Sequence, residues 1–140
     1  MTVDSILAAA RDAIGTPFRH QGRSVGRKLD CAGLLAHVAI ENGHTPIDVK
    51  GYPHQPDGRL ASALAAQPFL VRVAGRPQAG DFILFHYEDD AHAGHLGICA
   101  GQMLIHAWAH AHKVCEHDFT EEWQRRVVAV YCFTELSYGR

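Results

Sequence analysis

One cysteine has the sequence surroundings of a catalytic nucleophile. Cys31 follows Asp30, a residue type that commonly caps helices, and it precedes an apolar run with helical spacing that ends at Asn42-Gly43. The unpaired N–H groups and the dipole of a helix N-terminus lower the pKa of a thiol and can also bind an oxyanion. Cys31 is therefore a candidate nucleophile, and the alternative is a small buried apolar residue.

Two histidines in the C-terminal half could serve this thiol. The segments on either side of Ala100-Gly101 favour β-structure, which predicts a hairpin with a two-residue turn. That turn would place His95 directly opposite His106 on one face, and Gly97 would leave a notch where the helix of the cysteine could approach. One histidine could accept the thiol proton while the other orients it. The alternative is two unrelated polar residues at strand ends, because a slipped turn would change the pairing.

The elements that must position these side chains follow a simple order along the chain. Helices come first and antiparallel strands follow, which is the α+β pattern, and we expect one catalytic domain over residues 1–140. Two loops, 18–29 and 44–57, are expected to wall the cleft, and a further loop is predicted over 88–93. Helices are predicted over 3–14, 31–42 and 59–66, and strands over 69–73, 82–87, 96–99, 103–106 and 127–133.

Composition excludes several classes of function. The 140 residues carry a formal net charge of -2, which gives no field to attract nucleic acid. No apolar run reaches the roughly 18 residues that a membrane helix needs, so we expect no membrane insertion. The first ten residues lack the basic region of a signal peptide, which predicts a protein made in the cytoplasm.

Neither a metal nor a cofactor is expected from the sequence. The four cysteines have irregular spacing without a CxxC pair, which argues against a disulfide framework or a structural zinc site. Five histidines are numerous enough to form a zinc site, but their spacing follows none of the familiar ligand patterns. They are His92, His95, His106, His110 and His112. The remaining histidines are expected at the surface or partly buried: His20, His37, His44, His54, His86 and His117.

Four segments between Ile6 and Phe133 together resemble one family. GTPFRHQG, DCAGLL, AGDFILF and GHLGICAGQMLIHAW, in this order, look like the NlpC-type cell-wall cysteine peptidases of the papain-like clan, and most like their phage tail-associated branch. The resemblance implies that Cys31 is the nucleophile, His95 the general base and His106 the third polar residue. It also implies that Asp30 helps to bind the free amine of a stem peptide. The implied fold is papain-like, with N-terminal helices and the nucleophile helix packed on an antiparallel sheet.

The same resemblance implies a substrate and a setting. The substrate would be peptidoglycan stem peptides, commonly cut between D-glutamate and a diamino acid, and the partners would include phage tail-tip proteins. A virion, prophage or gene-transfer-particle tail acting in the periplasm or at the cell wall is the implied location. Two positions depart from the family pattern. Phe18 replaces a frequent tyrosine, so that His20 or Gln21 could supply the missing polar group, and Ala32 replaces a frequent serine.

Two other functions stay open at this level. The chain could be a non-catalytic tail-tip or wall-binding protein, or it could be an amidase or acyltransferase built on the same scaffold.

Overall fold

The computed structural model describes residues 1–87 and 91–140 as four helices and eight strands. The helices are α1 (Val3–Asp12), α2 (Cys31–Glu41), α3 (Arg59–Ala66) and the single turn α4 (Glu121–Gln124). The strands are β1 (Arg23–Ser24), β2 (Lys28–Leu29), β3 (Leu70–Val73), β4 (Phe82–His86), β5 (Ala93–Ala100), β6 (Met103–Trp108), β7 (Lys113–Asp118) and β8 (Val127–Phe133). No helix among these residues is long and apolar enough to cross a membrane.

The six longer strands form one antiparallel sheet in the order β3-β8-β4-β5-β6-β7. The expected helices and five expected strands are present, with ends that differ by a few residues. The edge strand β7 was not expected, because its residues mix charged and apolar types without a clear run. The segment 18–29 is also not purely a loop, because Gly26, with a φ of 81°, lets β1 turn back and pair with β2. Residues 88–90 of the expected loop lie outside the described residues, and Ala93 already belongs to β5.

Each face of the sheet covers its own apolar cluster, because successive side chains of a strand point to opposite faces. On one face, Leu96, Ile98 and Ile105 pack with Leu34 and Val38 of α2 in the main core. On the other face, a smaller apolar cluster packs between the sheet and α4. Its members are Ile83, Phe85, Cys99, Leu104, Phe119 and Trp123. The two faces therefore have different partners, and only the first one carries the helix of Cys31.

The start of α2 is held tightly against the loop that precedes it. Asp30 caps the helix, since its side chain accepts a hydrogen bond from the Gly33 N–H at 2.9 Å. A Cβ on Gly33 would lie 2.1 Å from the carbonyl oxygen of Gly22, so only glycine allows this approach. The glycine of the D-C-A-G segment is therefore required by packing, in addition to the chemical role predicted for its cysteine.

The β5–β6 hairpin differs from its expected register. Ala100 pairs with Met103, so the turn is Gly101-Gln102 rather than Ala100-Gly101. Gly101 has a φ of 76° at the first turn position, where a type II′ turn needs glycine. His95 and His106 are consequently not directly opposite each other, but a shift of two positions keeps them on the same face as diagonal neighbours.

The expected role of Gly97 is also wrong. A Cβ at Gly97 would meet Leu104 Cδ1 at 2.9 Å and Phe85 Cε2 at 3.1 Å, both members of the second cluster. The missing side chain therefore makes room for the cluster below α4, and not for the helix of the cysteine. The pairing with β4 is instead irregular just before His95, where Phe85 pairs with His95 and His86 pairs with Ala93.

Candidate active site

A cavity of about 290 Å³ brings Cys31 and His95 together. Cys31 enters it from the first turn of α2, and His95 enters it from the start of β5. Both loops that were expected to wall the cleft contribute to it, through Phe18 and His20 on one side and residues 52–58 on the other. Gly94 at the rim must be glycine, because a Cβ there would lie 2.1 Å from Pro56 Cγ.

The thiol of Cys31 is protonated at rest, contrary to the expected lowering of its pKa. Burial, followed by the negative charge of Asp30, raises the pKa of Cys31 to about 12, and the residue is only 7% exposed. Backbone hydrogen bonds from Leu96 and Ala32 favour the thiolate but do not outweigh these effects. The Leu96 contact also places the sulfur beside the backbone of β5, one residue from His95. Cys31 therefore needs a base to remove its proton.

Asp30 is a buried anchor with four internal donors. Its Oδ1 accepts from the Gly33 N–H and from Arg23 Nη1 at 2.8 Å, and its Oδ2 accepts from the Gln21 N–H at 2.8 Å and from the Tyr52 hydroxyl. A carboxylate has about four lone-pair sites, so these donors fill it. A substrate amine would have to displace one of them. Asp30 lines the cavity, yet its contacts join helix α2 to both cleft loops.

His95 begins a chain of three histidines that ends on a backbone carbonyl. His95 Nε2 lies 2.7 Å from His106 Nδ1, and His106 Nε2 lies 2.7 Å from His117 Nε2. His117 Nδ1 lies 2.8 Å from the carbonyl oxygen of Asp118. The chain crosses from β5 to β6 and then to β7, the strand that the sequence pattern did not indicate.

The Asp118 carbonyl determines the proton positions along this chain. A carbonyl oxygen can only accept, so a neutral His117 carries its proton on Nδ1 and presents the Nε2 lone pair to His106. His106 must then carry its proton on Nε2, and its Nδ1 accepts from His95 Nε2–H. The lone pair of His95 is thereby left on Nδ1. One backbone oxygen thus prepares His95 as a proton acceptor.

The first two histidines of the chain are neutral in the folded protein. Burial lowers the pKa of His95, and the positive charge of Arg126 lowers it further. Burial also lowers the pKa of His106, with additional contributions from His95 and His117. Trp123 contacts both rings edge-on or tilted, with centroid distances of 5.6 Å to His95 and 4.9 Å to His106. This apolar surrounding keeps water away from the hydrogen bonds between the rings.

The five expected substrate residues occupy three different places. Phe18, His20 and Asp30 line the cavity. Gln21 is exposed and joins the two loops, since its side-chain amide donates to the Tyr52 carbonyl at 3.0 Å. Ala32 lines a separate small apolar cavity between α2 and α3. His20 also contacts the Tyr52 carbonyl, through Nε2 at 2.9 Å, and its ring stacks on that of His54.

Sequence reasoning did not anticipate three contacts that complete the site. They are made by Arg23 and Tyr52 with Asp30, and by His117 with His106. His117 was expected only as a surface or partly buried histidine, and it is half-buried, but the alternation of β7 also puts it on the same face as His106. Recognising 113–118 as a strand would have indicated it. Tyr52 and Arg23 reach Asp30 from loops, and loop conformation has no sequence signal of this kind.

One cluster of metal-ligand side chains occurs among residues 1–87 and 91–140. The ligand atoms of His106, Cys115 and His117 all lie within 4.8 Å of one another. In this part of the chain, the five histidines that could form a zinc site on paper are not brought together as a group, and only His106 belongs to the observed cluster. The cluster lies behind His95, away from the cleft.

Comparisons with known proteins decide the family. The model of the NlpC/P60 family matches residues 15–132. The chain belongs to the NlpC/P60 family. Sequence comparison with curated proteins finds no match. The α+β, papain-like fold expected from the sequence is confirmed, because solved structures of this family share the helices and the antiparallel sheet.

Three of these structures illustrate the range of the likeness. An NlpC/P60 family protein from Bacillus cereus has a TM-score of 0.70 at 18% identity; the match covers 93% of this chain and 39% of that one. The NlpC/p60 domain of the peptidoglycan hydrolase SagA has a TM-score of 0.63 at 20% identity, covering 93% and 97%. RipD from Mycobacterium tuberculosis, described as a non-catalytic NlpC/p60 protein adapted to peptidoglycan binding, has a TM-score of 0.55 at 14% identity, covering 94% and 96%. This NlpC/P60 chain thus spans about two fifths of the Bacillus protein.

Proposed function

We propose that this NlpC/P60 chain is a cysteine peptidase that hydrolyses peptide bonds in the stem peptides of peptidoglycan. The observation that carries the proposal is the shared cleft of Cys31 and His95, with His95 at the head of a hydrogen-bonded chain that leaves its Nδ1 free to accept a proton. A protonated thiol and a neutral base that line the same cleft are a starting state for general-base catalysis. Family membership and the SagA likeness support peptidoglycan as the substrate.

The reaction would proceed in two halves. His95 Nδ1 takes the Cys31 proton as the sulfur attacks the scissile carbonyl, and the resulting imidazolium gives that proton to the leaving amine. The N–H groups of the first turn of α2 are the natural donors for the oxyanion. Water then attacks the thioester, with His95 acting as the base, and the acid product leaves. His106 and His117 stabilise the imidazolium through the hydrogen-bonded chain.

The scissile bond and the origin of the protein are proposed from the sequence resemblance alone. We propose cleavage between D-glutamate and the diamino acid, and an origin in a phage, prophage or gene-transfer-particle tail with tail-tip proteins as partners. Phe18, His20 and Asp30 are proposed to line the part of the cleft where the substrate binds. Because four internal donors occupy the carboxylate oxygens of Asp30, the main contribution of Asp30 is to hold the two cleft loops. Mass analysis of the products of defined muropeptides would identify the bond that is cut.

The direct test uses purified protein and matched variants. Wild-type protein incubated with peptidoglycan should release new free amines, and Cys31→Ala should release none while keeping the native fold by circular dichroism. Cys132→Ala is the control, because Cys132 is a buried thiol of β8 that does not line the cleft. Wild-type activity in Cys31→Ala would refute the proposal. Transfer of an acyl group to an added amine, without net hydrolysis, would instead indicate an acyltransferase, and a cut at an amide outside the stem peptide would indicate an amidase.

A second candidate is a wall-binding protein without catalysis. The raised pKa of Cys31 leaves little thiolate at neutral pH, and the fold is shared with RipD, which is described as non-catalytic. This candidate predicts co-sedimentation with peptidoglycan, no amine release, and unchanged binding after Cys31 is alkylated.

A further inference from the structure

The geometry behind His95 carries a second kind of chemistry. His106 and Cys115 are paired across β6 and β7, and His117 follows Cys115 by two residues on the same strand. All three side chains therefore share one face, and their ligand atoms lie within 4.8 Å of one another. Two imidazole nitrogens and one thiolate are ligands that Zn²⁺ and related transition metals prefer, with water or another group in the fourth position.

The hydrogen bonds identify which nitrogens would bind the ion. His106 Nδ1 is engaged with His95 and His117 Nδ1 with the Asp118 carbonyl, so the two Nε2 atoms, 2.7 Å apart, are the ones that face each other. An Nδ1–H bound to a backbone carbonyl is a common arrangement for a histidine that binds metal through Nε2. His117 thus already has the tautomer that a metal ligand requires. Cys115 and His117 are both half-buried, which leaves a path from solvent.

We propose that His106, Cys115 and His117 form a binding site for a transition-metal ion of the Zn²⁺ class, and that its occupation switches off the Cys31–His95 pair. The second half of this proposal rests on the proposed peptidase function. The ion would replace the hydrogen bond between the two Nε2 atoms, and the thiol proton of Cys115 would be released to solvent.

The inhibition follows from the proton positions. A metal on His106 Nε2 takes that lone pair, so the proton of His106 moves to Nδ1, which faces His95 Nε2. His95 Nε2 must then accept, and the proton of a neutral His95 moves to Nδ1. His95 no longer has a lone pair for the Cys31 proton. The metal therefore reverses the polarity that the Asp118 carbonyl sets in the free protein.

The binding test is independent of catalysis. In Cys31→Ala protein, which lacks the thiol of the cleft, calorimetry with Zn²⁺ should give one site per chain. Loss of one ligand in Cys31→Ala/Cys115→Ala should weaken binding by more than about ten-fold, since even the loss of an outer-shell partner costs that much. Cys31→Ala/Cys132→Ala is the matched control and should bind as Cys31→Ala does. Co²⁺ should give a thiolate absorption band that disappears with Cys115. No binding, or equal binding without Cys115, would overturn the site.

The coupling test uses active protein. Cys115→Ala should keep its basal amine release in chelator, because Cys115 takes no part in the hydrogen-bonded chain. The Zn²⁺ concentration that halves the activity should rise by more than about ten-fold in this variant. Equal inhibition of wild type and Cys115→Ala would overturn the coupling and indicate direct binding at Cys31. If no amine release occurs at all, the peptidase proposal fails, while the calorimetric result still decides the metal site.

Discussion

Replacement of His117 tests the proton order along the histidine chain. His117→Leu removes the acceptor of His106 Nε2–H, and His106 is completely buried. A buried donor without a partner costs about 1–3 kcal/mol. His106 can avoid this cost by moving its proton to Nδ1, which reverses its hydrogen bond to His95 and removes the acceptor that Cys31 needs. At about 1.36 kcal/mol for each factor of ten, kcat should fall by about 5-fold to 160-fold.

The matched variant is His117→Gln, whose amide oxygen can accept the same hydrogen bond. It should keep most of the wild-type kcat, whereas KM should be unchanged in both variants because His117 does not line the cleft. Steady-state hydrolysis of a muropeptide in the presence of chelator measures both constants. Nitrogen-15 NMR of labelled histidine measures the tautomer of His95, which should carry its proton on Nε2 in wild type and shift toward Nδ1 in His117→Leu. A folded His117→Leu protein with wild-type kcat, or with the Nε2–H tautomer of His95 retained, would refute the reasoning.

Three further predictions concern the nucleophile and the start of its helix. Because burial raises the pKa of Cys31 to about 12, its thiolate fraction should rise about ten-fold per pH unit between pH 7 and 9. The rate at which iodoacetamide alkylates Cys31, measured by peptide mapping, should rise by the same factor. An alkylation rate that does not change with pH would mean that the thiol is already ionised. Asp30→Asn removes the charge that raises this pKa, so alkylation at pH 8 should be faster, and the loss of the Arg23 ion pair should lower the free energy of unfolding in urea by about 1–3 kcal/mol. Gly33→Ala should lower the free energy of unfolding by about 1–3 kcal/mol, because its Cβ would lie 2.1 Å from the Gly22 oxygen; Ala36→Ser, at a half-buried position of the same helix, should have a smaller effect, and equal effects would contradict the close approach.

Metal bound to His106, Cys115 and His117 would also change the kinetic constants measured for these variants. Traces of Zn²⁺ would lower the apparent kcat of wild type and not that of variants lacking a ligand. Activity measured without chelator would therefore make His117→Leu look less impaired than it is. The comparison of each variant with and without chelator separates the two effects.

The sequence alone determined the parts of this protein that depend on neighbouring residues. An N-cap aspartate before an apolar helical run gave the start of α2 at Cys31, and helical or alternating patterns gave the other long elements to within a few residues. The predicted hairpin put His95 and His106 on one face even though its turn was misplaced. Side chains of a strand alternate between the two faces, so an error of two positions in the pairing leaves each side chain on the predicted face. The motifs also gave the family.

Only the tertiary structure decided what surrounds those residues. The pKa of Cys31 depends on burial and on the charge of Asp30, which outweigh the helix N-terminus, and no local pattern reports the balance. Asp30 receives Arg23 and Tyr52 from two loops, and loop conformation is set by packing. His117 joins the site because β7 pairs with β6. The hydrophobic pattern of β7 is too weak to predict this pairing from the sequence. The position of the proton on His95 therefore depends on the pairing of three strands, β5, β6 and β7. The nucleophile Cys31, in contrast, can be predicted from the few residues that begin α2.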